Sequence, residues 1–155
     1  MSERYSFIPP GGGTSYNWEN DHIFVKVAAS ETGSAYTVVE DNLKSTFSLG
    51  LHLHRCHAET FYILAGSVDF YVDGEWMSAE TGACLHIPPG IPHAAKVSDG
   101  VENARMLMIF QPSGFDGFLA ELARLSQSEL SDETVLATLQ NKYDIVQIGP
   151  LPSRS

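Results

Sequence analysis

The fold of this chain is decided by one stretch, HLHRCHAETFYILAG, at residues 52–66. Side chains alternate between the two faces of a strand, so His52 and His54 point the same way. Glu59 opens a second apolar run, and Phe61 shares its face. If the two strands are neighbours in a closed sheet, the imidazole pair meets the carboxylate. Two histidines and one carboxylate with open positions are a ligand set that suits non-haem iron and similar first-row metals.

A second stretch, GACLHIPPGIPH at residues 82–93, supplies a fourth candidate ligand. Its proline and glycine residues predict a tight turn near the end of the stretch. His93 directly follows this turn, and the imidazole of histidine is a common metal ligand. We therefore add His93 to the candidate ligands of the first stretch.

Both stretches resemble the two sequence motifs of the cupin family. The first fits H-x-H-x4-E-x6-G and the second fits G-x5-P-x-G-x2-H, residue for residue. The resemblance implies a mainly β fold, the cupin double-stranded β-helix or jelly-roll barrel, with a metal inside it. It implies one divalent transition metal ion per chain, held by His52, His54, Glu59 and His93. Iron, nickel, manganese, cobalt, copper and zinc all accept such ligands, so several metals stay open.

Composition and charge narrow the class of protein. The chain has 155 residues, with 9 basic and 19 acidic side chains and a formal net charge of −10. This length fits a single domain over residues 1–155 with its own core. The negative charge argues against nucleic acid or an anionic membrane surface as a partner. No apolar run approaches the roughly 20 residues that span a bilayer and the N-terminus lacks a signal pattern, so we expect a cytoplasmic protein.

Short β-rich runs bounded by turn residues predict a barrel over about residues 20–112. Gly66 interrupts one run, as expected where a strand bends at a barrel corner. Asp73 and Gly74 predict a hairpin turn. The residues before the barrel, 8–14, are rich in proline and glycine and predict a loop or arm. The predicted strands cover residues 22–28, 35–43, 45–54, 59–72, 83–87, 93–98 and 104–110.

After the last of these strands the hydrophobic period changes from two to near 3.6. This change predicts a C-terminal extension over about residues 113–155 that contains two short helices. The first helix begins at its expected N-cap Ser113 and carries one apolar stripe. The second begins at its expected N-cap Ser131 and ends near Tyr143. The segment 144–150 then reads as extended, either as an edge strand or along a dimer partner.

The C-terminal extension also resembles that of bacterial single-domain cupins similar to quercetin dioxygenases, through P-x-G-F-x-x-F and later K-Y-x-I and G-P. This resemblance implies an oxidoreductase, a dioxygenase that opens a flavonol or related hydroxyketone ring with O2 and releases carbon monoxide. It implies a catalytic role for Glu59, which takes the proton of the substrate hydroxyl as the oxyanion coordinates the metal. The implied partners are an aromatic or hydroxyketone small molecule and O2.

Other functions are compatible with the same family, because cupins host many activities on one fold. A redox-neutral metal-dependent enzyme, such as an isomerase or a polyketide cyclase, would use the metal only as a Lewis acid. A non-catalytic cupin would bind a small ligand for sensing or transport. Related small cupins often pair and this chain has spare segments at both ends, so we also expect a homodimer.

Four further residues in or near the motifs have side chains that could bind a metal or react, and we interpret all four as structural residues. His57 reads as a solvated loop residue rather than a proton relay, and His86 as a structural histidine rather than a ligand. Cys56 and Cys84 read as free thiols rather than a disulfide or a metal ligand, because a chain of this size without a signal pattern more often keeps its thiols free.

Overall fold

A computed structural model describes residues 4–154 of the chain, and within them it forms eleven strands and three short α-helices. The strands are β1 (Thr14–Asn17), β2 (Asp21–Val27), β3 (Thr37–Lys44), β4 (Ser48–Leu53), β5 (Ala58–Ala65), β6 (Ser67–Val72), β7 (Glu75–Glu80), β8 (Cys84–Ile87), β9 (His93–Val97), β10 (Asn103–Gln111) and β11 (Val146–Gly149). The helices are α1 (Phe115–Leu122), α2 (Gln127–Leu130) and α3 (Glu133–Lys142).

The strands form two antiparallel sheets that enclose one core. The six-stranded sheet has the order β1-β2-β3-β10-β5-β8, and the five-stranded sheet has the order β11-β4-β9-β6-β7. Every second residue of β3 is buried, which is the period expected of a strand with one face toward a core. Side chains from both sheets meet there, among them Ile63, Met106 and Phe70. The mainly β jelly-roll fold predicted from the motifs is confirmed.

Gly66 divides the longest predicted strand into β5 and β6. Its φ is +70°, a backbone conformation that L side chains rarely adopt. A Cβ at this position would lie 2.6 Å from the carbonyl oxygen of Asn103, at the start of β10. The bend therefore requires glycine for its conformation and for the close approach of the neighbouring strand.

The hairpin predicted at Asp73 and Gly74 is present between β6 and β7, with φ values of +48° and +94°. Two strands were not predicted, β1 and β7. Both are largely exposed, and neither has the apolar alternation that marks a strand packed on a core. The residues of β1 are mostly polar, and the two large apolar residues of β7, Trp76 and Met77, are adjacent.

Three helices follow β10 where the sequence predicted two, because α2 adds a single turn between the predicted pair. Side chains from all three helices and from several strands line one interior cavity. Because helices and strands share this cavity, it does not separate a barrel from an extension. The division of the chain near residue 113 therefore stays a prediction. In the described range 4–154, no helix is both long and apolar enough to cross a membrane.

Both predicted N-caps are wrong by one residue. Gly114, with a φ of +131°, precedes α1, and no side chain caps that helix, so Ser113 does not serve as its cap. Ser131 instead ends α2, and Asp132 is the N-cap of α3. The Asp132 carboxylate accepts hydrogen bonds from two backbone N–H groups of the first turn. A carboxylate also complements the positive end of the helix dipole, which favours it as a cap.

The extended C-terminal segment forms β11, which pairs antiparallel with β4. Val146 lies opposite Leu53, and Gln147 opposite His52. Of the two arrangements that the sequence left open, the edge strand is the one observed. This pairing brings the C-terminal segment beside the strand that carries the first candidate ligands.

Candidate metal centre

The four candidate ligands come together in the interior of the fold. His52 on β4 is the register partner of His93, the first residue of β9, and His54 directly follows β4. Glu59 lies on β5, which belongs to the other sheet. β4 and β5 are therefore not neighbours in one sheet, which was the condition considered from the sequence. The carboxylate meets the imidazoles across the space between the sheets, and all four side chains are buried.

The side chains converge closely. One potential ligand atom from each of the four lies within 4.8 Å of the others. Glu59 Oε1 lies 2.5 Å from His54 Nε2, and Glu59 Oε2 lies 3.3 Å from His93 Nε2. The ring centroid of His52 lies 4.3 Å from that of His93. Three imidazoles and one carboxylate thus surround a common point.

Backbone carbonyl groups hold the outer nitrogen of each ring. The Nδ1 atoms of the three histidines lie 2.8–2.9 Å from carbonyl oxygens: His52 with Gly50, His54 with Asp144 and His93 with Ile91. Because a carbonyl oxygen only accepts, each Nδ1 must carry a proton and donate it. The Nε2 atoms therefore direct their lone pairs inward. Such outer hydrogen bonds are the usual way in which proteins orient histidine ligands toward a metal.

The inward nitrogen atoms fit a metal ion. Nε2 of His54 and Nε2 of His93 are buried and have no hydrogen-bond partner among the described residues. Each faces an oxygen of Glu59, which is also an acceptor, and two acceptors repel one another at these distances unless a cation lies between them. Imidazole nitrogen and carboxylate oxygen bind transition metals at about 2.0–2.2 Å. The cluster could therefore bind one such ion, and its donor set admits several first-row metals.

The electrostatics of the cluster favour an ionised Glu59 and a neutral His52, and both are states that bind a metal. Burial alone would raise the pKa of Glu59, but the adjoining rings of His54 and His93 lower it to about 2. Burial and the nearby His93 lower the pKa of His52 to about 4. Burial also opposes the charged form of His54, but the Glu59 carboxylate outweighs it and raises that pKa. At neutral pH the site therefore holds an ionised carboxylate beside a neutral His52.

Asp144 organises the loop between β4 and β5, and sequence reasoning missed it. Its carboxylate accepts the backbone N–H groups of Arg55, Cys56 and His57 at 2.7–3.2 Å. Its carbonyl oxygen accepts Nδ1–H of His54. The φ of Asp144 is +61°, a conformation that Asp tolerates better than most residues. Asp144 therefore joins the C-terminal segment to a candidate ligand. In the sequence it occupies the variable position of K-Y-x-I, so the motif itself does not mark it as important.

The remaining histidines and cysteines near the motifs lie outside the cluster. His57 is wrongly predicted as solvated, since its ring contacts Asp144 at 2.8 Å and the Ser113 carbonyl oxygen at 3.1 Å. His86 is exposed and hydrogen bonds to a threonine hydroxyl on the neighbouring strand. Cys56 and Cys84 are free and exposed, as expected of unpaired thiols.

One cavity of about 430 Å³ contains the cluster. Its walls are mainly apolar, and the strands contribute Phe61, Met106, Met108 and Phe110. The C-terminal helices contribute Phe118 and other apolar side chains, so they close this cavity instead of packing only on the outside of a sheet. An apolar pocket with a few converging polar groups is the usual form of a small-molecule site.

Comparison with known proteins agrees with the motifs. Residues 42–110 match the family model described as Cupin domain. Over 98 residues the chain is 26% identical to quercetin 2,3-dioxygenase from Bacillus subtilis, a match that covers 63% of this chain and 28% of that enzyme. The chain thus spans less than a third of the length of this relative.

Solved structures share the fold. An RmlC-like cupin from Shewanella frigidimarina matches with a TM-score of 0.59 and 18% identity, covering 75% of this chain and 96% of that chain. The polyketide cyclase RemF from Streptomyces resistomycificus matches with a TM-score of 0.61 and 17% identity, covering 73% of this chain and 81% of that chain. At such identities the likeness establishes architecture alone. The motifs of the chain, the match of residues 42–110 to the cupin domain model and its fold all indicate a cupin domain, and part of the chain resembles quercetin 2,3-dioxygenase.

Proposed function

We propose that the chain is a metal-dependent dioxygenase of the quercetinase-like cupin type, which opens a flavonol or related hydroxyketone ring with O2. One observation carries the proposal: Glu59 is a buried carboxylate beside three imidazoles in the wall of an apolar cavity. This arrangement offers a proton acceptor next to a candidate metal centre. The similarity to quercetin 2,3-dioxygenase supports the substrate class.

The proposed metal ligands are His52, His54, Glu59 and His93. They would hold one divalent transition metal ion, with iron, nickel, manganese, cobalt, copper and zinc all compatible with the donor set. When bound, such an ion supplies stabilisation of the substrate oxyanion and access to O2 chemistry.

Glu59 is the proposed catalytic residue. Despite its burial, the adjoining rings of His54 and His93 lower its pKa, so the carboxylate is ionised at neutral pH. In that state it can accept the proton of a substrate hydroxyl, whose own pKa a bound metal would lower. Its two oxygen atoms lie beside Nε2 of His54 and Nε2 of His93, so a metal ion bound between them would hold the carboxylate in place. Phe61, Met108 and the other apolar walls would contact a flat ring and exclude water from it.

The proposed overall reaction is balanced without an external reductant. One O2 is consumed and both of its atoms enter the products. The ring opens, one of its carbon atoms leaves as carbon monoxide, and the substrate itself is oxidised. Loss of the substrate hydroxyl proton to Glu59 precedes these steps, so the chain contributes deprotonation, orientation and exclusion of water.

The experiment that tests the proposal is oxygen uptake by protein reconstituted separately with iron, nickel, cobalt and manganese, using a panel of flavonols. We expect oxygen consumption and an equal release of carbon monoxide with at least one metal. Metal-loaded protein that binds a flavonol but consumes no oxygen would overturn the dioxygenase proposal. Turnover without oxygen would then favour a redox-neutral cupin such as an isomerase or polyketide cyclase, and binding without turnover would favour a ligand-binding cupin.

A homodimer and a cytoplasmic location are also part of the proposal. Exposed aromatic side chains support a partner surface of the same chain: Tyr62 lies on the outer face of β5, and Tyr36 directly precedes β3. Light scattering on the purified protein should give a mass twice that of the chain. A mass equal to one chain at micromolar concentration would contradict the dimer.

A further inference from the structure

An amide side chain lies beside the candidate metal centre, in a cavity whose walls are mainly apolar. The side chains with a neutral amide or hydroxyl group in the cavity lining are Asn20, Ser48, Gln140 and Gln147. Gln147 on β11 is the register partner of the candidate ligand His52 on β4. Directly opposed residues of antiparallel strands have Cα atoms about 4.5–5.5 Å apart and side chains on the same face. Gln147 therefore lies on the face of the sheet from which the His52 ring enters the metal centre.

Gly50 leaves room for this amide. Gly50 precedes His52 by two residues, so a side chain there would point to the same face of β4. A Cβ added to Gly50 would lie 3.7 Å from Oε1 of Gln147, which places the amide over the inner face of the strand. Gln147 is also exposed, whereas the four candidate ligands are buried. A small molecule that enters the cavity can therefore reach the amide of Gln147.

The four candidate ligands offer no free hydrogen-bond donor to a bound molecule. The Nδ1–H groups of the three histidines already donate to backbone carbonyl groups, and their Nε2 atoms are the proposed metal ligands. Glu59 is ionised and can only accept. A hydroxyketone has a ketone oxygen on the carbon next to its hydroxyl group, and burying that oxygen without a donor is unfavourable. The side-chain N–H of Gln147 can supply the missing donor.

The strand that carries Gln147 is fixed at both ends of its approach to the site. Ile145, just before β11, is buried, and its backbone N–H donates to the carbonyl oxygen of Gln140 on α3 at 2.9 Å. Val146 and Gln147 then pair with Leu53 and His52 of β4. Side chains on such regular, packed elements are held more precisely than side chains on loops. A neutral amide also adds no charge that would compete with a metal ion for Glu59.

We propose that Gln147 is a specificity-determining residue whose amide N–H donates a hydrogen bond to the ketone oxygen of a hydroxyketone bound at the metal centre. The hydroxyl group of the same molecule lies beside Glu59, so the inference rests on the proposed function and deepens it. Gln147 thereby selects molecules that have an acceptor oxygen on the carbon next to the hydroxyl-bearing carbon. A molecule with the hydroxyl group alone gains nothing from this contact.

Binding of 3-hydroxyflavone tests this inference, because this molecule contains the hydroxyketone and no other hydroxyl group. Its affinity would be measured on zinc-reconstituted protein, since zinc has no redox chemistry and the readout then does not depend on turnover. Gln147→Leu removes the amide and should bind about tenfold more weakly than wild type, which is the scale of one well-formed hydrogen bond. Gln147→Glu keeps the shape of the side chain but replaces the donor with a carboxylate. It should bind more weakly still, because its oxygen atoms repel the ketone oxygen.

Two controls separate contact with the ligand from an effect on the fold. Ile148→Gln is the matched variant, because Ile148 is the next residue of β11, is 49% exposed and lies outside the cavity lining. It should leave the affinity for 3-hydroxyflavone unchanged. Elemental analysis of every variant should give the same zinc content as wild type, because Gln147 is not among the proposed metal ligands.

The outcomes separate this inference from the proposed function. Wild-type affinity in zinc-loaded Gln147→Leu protein overturns the inference, even if wild-type protein consumes oxygen with flavonols. Binding by Gln147→Glu that equals or exceeds that of Gln147→Leu also overturns it. Failure of zinc-reconstituted wild-type protein to bind 3-hydroxyflavone overturns it without any variant. An affinity that depends on Gln147 in protein that consumes no oxygen supports the inference while the dioxygenase proposal fails.

Discussion

Glu59 has two roles in the proposed chemistry, as a metal ligand and as the acceptor of the substrate proton. Both depend on its ionised state, which its histidine neighbours favour strongly enough to overcome complete burial. The three imidazoles do not depend on Glu59 for their orientation, because backbone carbonyl groups hold their Nδ1 atoms. The two roles can therefore be separated by a substitution that keeps the size of the side chain.

Glu59→Gln should retain bound metal on the three histidines but lose the proton acceptor. We expect the rate of flavonol-dependent oxygen uptake to fall by about 10²–10⁴-fold, the usual contribution of a positioned general base. Oxygen electrode traces at matched metal content measure this. His93→Ala is the comparison variant, and it should lose both metal and activity. A Glu59→Gln protein that keeps its metal and turns over at the wild-type rate would exclude Glu59 as the base.

Residue-level sequence reasoning found the four candidate ligands, because the motif spacings are short and local. It missed Asp144, whose carbonyl oxygen meets the ring of His54 from 90 positions further along the chain. It also missed Gln147, which lies within a segment predicted as extended but whose place beside His52 in the cavity depends on the pairing of β11 with β4. Contacts between distant segments leave no periodic signal in the sequence.

At the scale of elements, the bend at Gly66 sets where β5 ends and where β6 enters the opposite sheet. The same glycine closes the first motif, seven residues after Glu59. Because Gly66 has no side chain, the start of β10 can approach its backbone closely. β10 also pairs with β5, the strand that carries Glu59. The geometry of this bend is therefore linked to the placement of the carboxylate.

Gly66→Ala should lower the free energy of unfolding by more than about 2 kcal/mol, because a positive φ costs an L residue about 1–2 kcal/mol and the new methyl group meets backbone atoms of β10. Urea unfolding followed by fluorescence measures the loss. Gly74→Ala is the matched control, since its φ is also positive but no atom lies within 4 Å of the added Cβ. Equal losses in the two variants would contradict the close approach at Gly66.

Element-level prediction succeeded where apolar periodicity or turn chemistry was strong. The hairpin at Asp73 and the bend at Gly66 were identified from turn residues alone. The exposed strands β1 and β7 lack an alternation of apolar and polar residues and gave no such signal. The pairing of β4 with β9, instead of with β5, depends on chain topology, which local sequence patterns do not specify.

At the scale of the whole molecule, the two sheets and the C-terminal helices enclose one cavity that contains the candidate metal centre. Asp41 lies on the inner face of β3 and is only 2% exposed, so its proton links the stability of the fold to pH. In the unfolded chain this carboxyl group titrates near its ordinary pKa of 3.8, and burial raises its folded pKa to about 9. Between these values only the folded state holds the proton, so the contribution of Asp41 to stability falls as pH rises.

Asp41→Asn removes this titration and should therefore gain stability relative to wild type as pH increases. Between about pH 6 and about pH 9 we expect the difference in unfolding free energy to shift toward the variant by about 2 kcal/mol or more. Urea unfolding at both pH values, with chelator present, measures it. Asp69→Asn is the control, because the Asp69 pKa is lowered and that difference should stay constant over this range. A constant difference for Asp41→Asn as well would show that Asp41 is ionised in the folded state.

The central claim is that His52, His54, Glu59 and His93 hold one metal ion, and elemental analysis of metal-reconstituted, dialysed protein tests it most directly. The account predicts about one equivalent of transition metal per chain in wild-type protein, and less than about a tenth of an equivalent in folded His52→Ala or His93→Ala protein. Wild-type protein that retains no metal, or histidine variants that retain a full equivalent, would contradict it.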